Sequence, residues 1–208
     1  MRIRPYHLLI LLALAVGAAL ALRAQDGAQS ILRPPAGSKI ALVVFEDLEC
    51  PDCRRAEPLL EEAKKTYNLP VVVYDFPLPQ HSWAMDASVY AHFFRSKSTK
   101  KENLEAEFRK YIYENQEQIT SPAGLRSFAE KFAAEHHVVL PFVIDPQGKF
   151  AAEIRADQDK AKMVGIQHTP TIYVVTDQHQ GKPFVEVVNR DQLFQLIDEM
   201  KQEAGLGD

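Results

Sequence analysis

The chain has 208 residues, of which 46% are hydrophobic and 25% charged, with 24 basic against 28 acidic side chains and a net charge of −4. That balance excludes an intrinsically disordered chain. No dense cluster of Lys and Arg exists to suggest a nucleic-acid surface, and the length suits one substantial domain or a core domain with a large insertion.

Arg2 and Arg4 precede an apolar run from Leu8 to Leu22, which contains the small-residue stretch Ala19-Leu20-Ala21. This is the layout of an export signal. A run of about 15 residues is short for a membrane span, which needs roughly 20. Arg23 and Ala24 fit a cleavage site less well, so residues 1–24 read as a signal peptide or an N-terminal anchor. Either reading places the protein in the periplasm or another extracytoplasmic space. Losing residues 1–24 would leave 21 basic against 28 acidic side chains, a net charge of −7. Residues 25–37, with Gly, Ser, Gln and the Pro34-Pro35 pair, read as an exposed linker.

Lys39 to Phe45 is an apolar run expected to form a buried strand. Arg54 to Tyr67 carries Ala56, Leu59, Leu60, Ala63 and Tyr67 at helical spacing, with Pro58 expected to kink the helix. Leu69 to Phe76 reads as a second strand, ended by Pro77 and Pro79. Three helical stripes follow: Trp83, Ala87, Tyr90, Ala91 and Phe94; then Leu104, Phe108, Tyr111 and Ile112; then Leu125, Phe128, Ala129 and Phe132. Ser121 is the expected N-cap of the third, with Pro122 at its first position. Asp145-Pro146-Gln147-Gly148 reads as a turn, and Asp157 to Val164 as a short helix ended by Gly165. Thr171 to Thr176 and Phe184 to Val188 are expected strands, and a last helix runs from an Asp191 N-cap to about Glu203.

This order predicts an α/β fold with a parallel strand pair and a closing hairpin. Residues 38–80 and 166–204 form the expected core, and residues 81–165 a helical insertion.

Cys50-Pro51-Asp52-Cys53 contains the only two cysteines. A bridge closing so small a loop removes little unfolded-state entropy, so it suits redox exchange better than stapling. The predicted helix puts Cys50 at a helix N-terminus, where backbone N–H groups favour a thiolate. A zinc site would need further Cys or His ligands at regular spacing, and no second C-x-x-C or H-x3-H exists, so no metal and no cofactor is expected. His136-His137 reads as a helix C-terminal cap, while His81, His92 and His179 lack partners at a diagnostic spacing.

Three pieces together resemble the DsbA-like thiol-disulfide oxidoreductases of the thioredoxin superfamily. They are Phe45 to Cys53, Pro58 five residues beyond the second cysteine, and Gly165-Ile166-Gln167-His168-Thr169-Pro170-Thr171. The resemblance implies a thioredoxin fold, a central mixed sheet flanked by helices, carrying an inserted helical domain. It implies that Cys50 attacks and Cys53 resolves, that Pro170 is a cis proline packed against the pair, and that the Thr169 backbone pairs with an extended substrate. Pro51, Asp52 and His168 would tune the potential. Many relatives carry a buried acid six residues before the first cysteine; here that position is Val44, so Glu46, Asp47 or water would have to replace it.

Asp52, with Glu46, Asp47 and Glu49 nearby, should repel a thiolate, opposed in part by Arg54 and Arg55. The expectation is a Cys50 pKa below that of a free thiol but above that of the strongest oxidants. The implied function is exported thiol-disulfide exchange with cysteine-containing secreted proteins, recycled by a membrane redox partner, by a monomer without nucleic-acid contacts. The alternatives are a periplasmic copper chaperone using Cys50, Cys53 and His168, or a binding module that keeps the fold as scaffold.

Overall fold

The computed structural model describes residues 27, 30–178 and 182–206. The expected signal or anchor segment and His179 lie outside these residues. The elements are β1 (Ile40–Glu46), α1 (Pro51–Tyr67), β2 (Val71–Asp75), α2 (Ala84–Arg95), α3 (Leu104–Asn115), α4 (Pro122–Glu135), α5 (Lys149–Val164), β3 (Thr171–Thr176), β4 (Phe184–Glu186) and α6 (Leu193–Glu203). Single 3-10 turns follow α3 at Gln116–Gln118 and precede α6 at Arg190–Gln192.

The strands form one mixed sheet in the order β2-β1-β3-β4. β1 runs parallel to β2 and antiparallel to β3, and β4 closes the sheet as the antiparallel partner of β3. A central strand has neighbours on both edges and layers on both faces, which is why β1 is apolar without interruption until Glu46. Its alternate side chains point to opposite faces. Leu42 and Val44 join Ile172 and Val174 against Ala56, Leu60 and Ala63 of α1 and Leu193, Ile197 and Met200 of α6. On the other face Ala41, Val43 and Phe45 meet Tyr173, Val175, Ala161 and Ile166.

The helical block has its own core, in which the rings of Phe94, Phe108 and Phe132 lie with centroids 4.6 to 5.2 Å apart. That core continues through Leu48, Cys50 and Cys53, so the cysteines sit where block and sheet domain meet. Asn103 caps α3 by accepting from Ala106 N, and Ser121 caps α4 by accepting from Gly124 N, with Pro122 first in the helix as expected.

Four expectations need correction. The short helix expected over Asp157 to Val164 is the second half of α5; of its sixteen residues only Ile154 and Ala161 are buried, too sparse a stripe to be legible. The stretch 25–37 is not wholly exposed, because Ile31 and Leu32 are buried on the β1–β3 face. β4 ends at Glu186 rather than Val188. Asn189, not Asp191, supplies the final cap, accepting from Asp191 N ahead of the 3-10 turn. Helix α1 continues through Pro58.

Candidate active site

Cys50 is the N-cap of α1, with extended backbone and Pro51 at the first helical position. Proline suits that position because its missing N–H would have had no partner. The turn before it is closed by Cys50 N donating to Asp47 O at 3.0 Å. Both thiols are free and both are buried, Cys50 at 7% exposure and Cys53 at 3%.

The loop before β3 supplies the opposite wall. Thr169-Pro170 is a cis peptide, as the resemblance implies. The Cys50 thiol donates to Thr169 O at 3.4 Å. The buried Thr169 hydroxyl lies within reach of the Cys50 sulfur and favours its thiolate. Thr171 Oγ1 donates to His168 O at 2.7 Å, which fixes the loop, while the His168 side chain is exposed.

The two sulfurs are pushed in opposite directions. A hydrogen bond from Cys53 is the largest influence on Cys50; burial opposes it, but Thr169 and the backbone N–H groups of Cys53 and Asp52 reinforce it, and the Cys50 pKa falls from 9.0 to about 5. Burial pushes Cys53 far up, and the hydrogen bond to Cys50 and the Glu46 charge add to it. A value of about 5 makes Cys50 the more acidic of the two thiols.

Asp52 does not stand as an isolated repelling charge. Burial opposes its ionisation, but the Arg190 guanidinium, then that of Arg55, outweighs burial and lowers its pKa. Arg190 donates to Asp52 Oδ1 at 2.7 Å and to Asp52 O at 3.2 Å; Arg55 reaches Oδ1 at 3.0 Å. Arg54 pairs with Glu117 at 2.6 Å. Glu49 accepts from Trp83 N at 2.5 Å.

Asp47 is a tie between loops. Its carboxylate accepts from Glu49 N, Leu78 N and His81 Nδ1, each at 2.7 Å, and its own N–H points to Cys53 Sγ at 3.5 Å. Gln116 braces the pair from the helical block by donating to Leu48 O at 2.8 Å and Cys50 O at 3.1 Å.

Behind Cys53 lies a buried ionic network that sequence reasoning missed. The parallel register of β1 and β2 sets Glu46 beside Asp75. Arg109 of α3 holds both, donating to Glu46 Oε1 at 3.0 Å and to the two Asp75 oxygens at 3.0 and 2.9 Å. Ser88 and His92 of α2 complete Asp75 at 2.7 and 2.9 Å, and His92 reaches on to Glu153 at 3.0 Å. The two carboxyls separate as a result. Burial pushes Glu46 up to about 7 despite Arg109, with the Glu57 and Asp75 charges adding. Asp75 stays well below the carboxylate range, because Arg109 and His92 outweigh its burial. Tyr113, whose buried hydroxyl has no partner, lies within the electrostatic reach of both Glu46 and Cys53. A cavity of about 250 Å³, lined in part by Glu46, Glu57, Glu61, Lys64 and Arg109, joins this network to the surface at Lys64.

Among the described residues, three metal-ligating side chains converge at Asp75, His92 and Asp157, and at Glu102, Glu107 and His136. Asp75 is already saturated by Arg109, Ser88 and His92. His136 is the C-cap of α4, stacked on Phe132.

The fold, with a cysteine pair at a helix N-terminus facing a cis-proline loop, defines a protein of the thioredoxin class. Residues 36–199 match the family model described as thioredoxin, and the chain belongs to that family. It is 26% identical over 160 residues to the Na(+)/H(+) antiporter NhaA 3 of Salinispora tropica, covering 76% of this chain but 23% of that relative. The chain therefore spans about a quarter of that curated relative's length. Among solved structures, alpha-DsbA1 of Wolbachia pipientis superposes with a TM-score of 0.67 at 14% identity, covering 86% of this chain and 98% of that one. A periplasmic thioredoxin-like protein of Salmonella enterica gives 0.59 at 19% identity, covering 80% and 86%. No helix among the described residues is long and apolar enough to cross a membrane.

Proposed function

We propose that the chain is an exported thiol-disulfide oxidoreductase that exchanges the Cys50–Cys53 disulfide with cysteines of secreted proteins through a mixed disulfide. One observation carries the reading: two free, buried thiols stand at the N-terminus of α1 against the cis Thr169-Pro170 loop, with Cys50 lowered and Cys53 raised in pKa. The low-pKa thiol is the good nucleophile and leaving group at neutral pH; the high-pKa thiol waits, protonated, to resolve.

In the oxidising direction a substrate thiolate attacks Cys50 Sγ, the Cys50–Cys53 bond breaks, and Cys53 leaves with the electron pair and takes up a proton. A second substrate thiolate then attacks the substrate sulfur of the mixed disulfide and expels Cys50 as thiolate. The substrate loses two electrons and the protein gains them. The reducing direction is the reverse. The cis-Pro loop would let the Thr169 backbone pair with the substrate chain, since proline leaves no N–H to compete.

Glu46 is the proposed proton donor and acceptor for Cys53. Val44, six residues before Cys50, packs into the α1–α6 core, and it is Glu46, two residues on, whose charge reaches Cys53. A carboxyl near pH 7 that is coupled to Cys53 and joined to solvent by a lined cavity suits the transfer.

The reading favours net oxidation at moderate strength. A stabilised thiolate stabilises the dithiol form and makes the disulfide the stronger oxidant, and a value of about 5 falls between thioredoxin near 7 and the strongest oxidant near 3.5. The Arg-flanked apolar run of residues 1–24 supports export, and recycling by a membrane redox partner is part of the proposal. His168, exposed beside Thr169, would tune the potential through its charge. Measuring the glutathione redox equilibrium, dithiol-peptide oxidation and insulin reduction for wild type and Cys50→Ser tests the proposal. Peptide oxidation lost in Cys50→Ser supports it; stoichiometric copper binding with no exchange in wild type overturns it.

A further inference from the structure

We propose that Arg190 is a positioning residue that sets the potential of the cysteine pair by clamping and neutralising Asp52. The inference rests on the oxidoreductase reading above. Asp52 lies in the dipeptide between the cysteines, and its backbone N–H is one of the groups that stabilise the Cys50 thiolate. An unpaired carboxylate there would oppose that effect by like-charge repulsion.

Arg190 comes from the 3-10 turn between β4 and α6, 138 positions along the chain. Its fork meets both features of Asp52 at once: one N–H the side chain at 2.7 Å, the other the carbonyl at 3.2 Å. Lysine cannot reproduce a two-point grip of this shape. The clamp therefore cancels the charge and pins the Asp52–Cys53 peptide, whose N–H, that of Cys53, also faces the sulfur.

Among the described residues, the remaining charged groups around Cys50 are paired or exposed. On α1, Arg55 also reaches Asp52 but as an exposed neighbour, while Arg54 is paired with Glu117 of the 3-10 turn after α3. In the preceding loop, Glu49 is engaged by Trp83 N and Ser82, and Asp47 by His81. In the opposite wall, His168 is exposed. Arg190 is the cation that meets the intervening dipeptide from outside helix α1.

The test follows the Cys50 thiolate by ultraviolet absorbance against pH, together with the equilibrium in which the protein dithiol and glutathione disulfide give the protein disulfide and two glutathione thiols. Arg190→Gln should raise the Cys50 midpoint and shift the equilibrium about threefold to tenfold toward the protein disulfide. Tenfold corresponds to about 30 mV. Asp52→Asn should move both quantities the opposite way, and the double variant should return close to wild type because a neutral pair replaces a neutralised one. Arg190→Lys should keep the charge effect in part and guards against a packing artefact. An unchanged midpoint in Arg190→Gln overturns the inference, as does a double variant that retains the Arg190→Gln shift. A wild type that never equilibrates with glutathione would instead overturn the parent reading, and the absorbance arm would still report on the clamp.

Discussion

Replacing Glu46 by Gln tests the buried network most sharply, because the folded protein holds the Glu46 carboxyl at about 7 against an ordinary value of 4.5. A carboxyl whose folded pKa is raised adds stability that is fully present below the unfolded value and lost as pH rises through the folded one. For Glu46 that window runs from 4.5 to about 7. Each pH unit is worth about 1.36 kcal/mol, so wild type should lose about 3 kcal/mol from this group across the window. Gln keeps the shape and an acceptor oxygen for Arg109 but does not titrate. The stability difference between Glu46→Gln and wild type should therefore move in favour of the variant by about 3 kcal/mol between about pH 4 and about pH 8. Urea unfolding of the reduced proteins, read at several pH values, measures this directly, and titrations common to both proteins cancel in the difference. A difference that stays flat across the range would refute the reasoning, since it would mean that Arg109 keeps Glu46 an ordinary carboxylate. The same variant should slow the resolving step above neutral pH, because Cys53 loses its proposed proton acceptor.

Arg109→Met would leave two buried carboxyls without their common guanidinium, which costs about 3–5 kcal/mol. Because Asp75 is held low, its stabilisation is present above 3.8 and fades as pH falls, so urea unfolding should show the defect of Arg109→Met shrinking toward acid pH. Alkylation of reduced protein by iodoacetamide should follow the Cys50 thiolate with a midpoint near 5; a midpoint near 9.0 would contradict the geometry. The depressed Cys50 value also requires the reduced protein to gain stability relative to the oxidised one as pH rises from about 5 toward 9.0, checked by unfolding both forms. Gln116→Ala strips the carbonyls of Leu48 and Cys50 of a buried donor and should cost about 1–3 kcal/mol in thermal or urea unfolding.

The chemistry of the pair was legible because it is local: two cysteines, a helix starting between them, and a Thr-Pro before a strand. The strands were legible for the same reason, β1 and β3 being nearly uninterrupted apolar runs. The ionic network was not, because its members are scattered over Glu46, Asp75, Ser88, His92, Arg109 and Glu153, and each reads alone as an ordinary polar residue. Two signals pointed to it. Glu46 and Asp75 are acids ending otherwise apolar strands, and His92 and Arg109 stand inside helical stripes beside Phe93 and Phe108. A charge in an apolar stripe is tolerated only with a partner, but sequence does not say which. The Asp52 repulsion was misjudged similarly, since its counter-charge arrives from Arg190 after β4.

The helical block contributes to the site as well as covering it. A parallel register that ends both strands in an acid would, on its own, place two carboxylates side by side in a buried position, where one must protonate or both must be paired. Among the described residues Arg109 of α3 supplies the cation that pairs with both, and its closer grip on Asp75, through two oxygens against one on Glu46, decides which carboxyl ionises and which stays near neutral pH. The neighbouring turn of the same segment sends Gln116 to the carbonyl of Cys50 and Glu117 to Arg54, on the other side of the pair. Thus one face of the block sets the proton affinity behind Cys53 while its end fixes the backbone under Cys50. Among the influences on the two thiols, the Glu46 charge that raises Cys53 is the one the block governs, through Arg109.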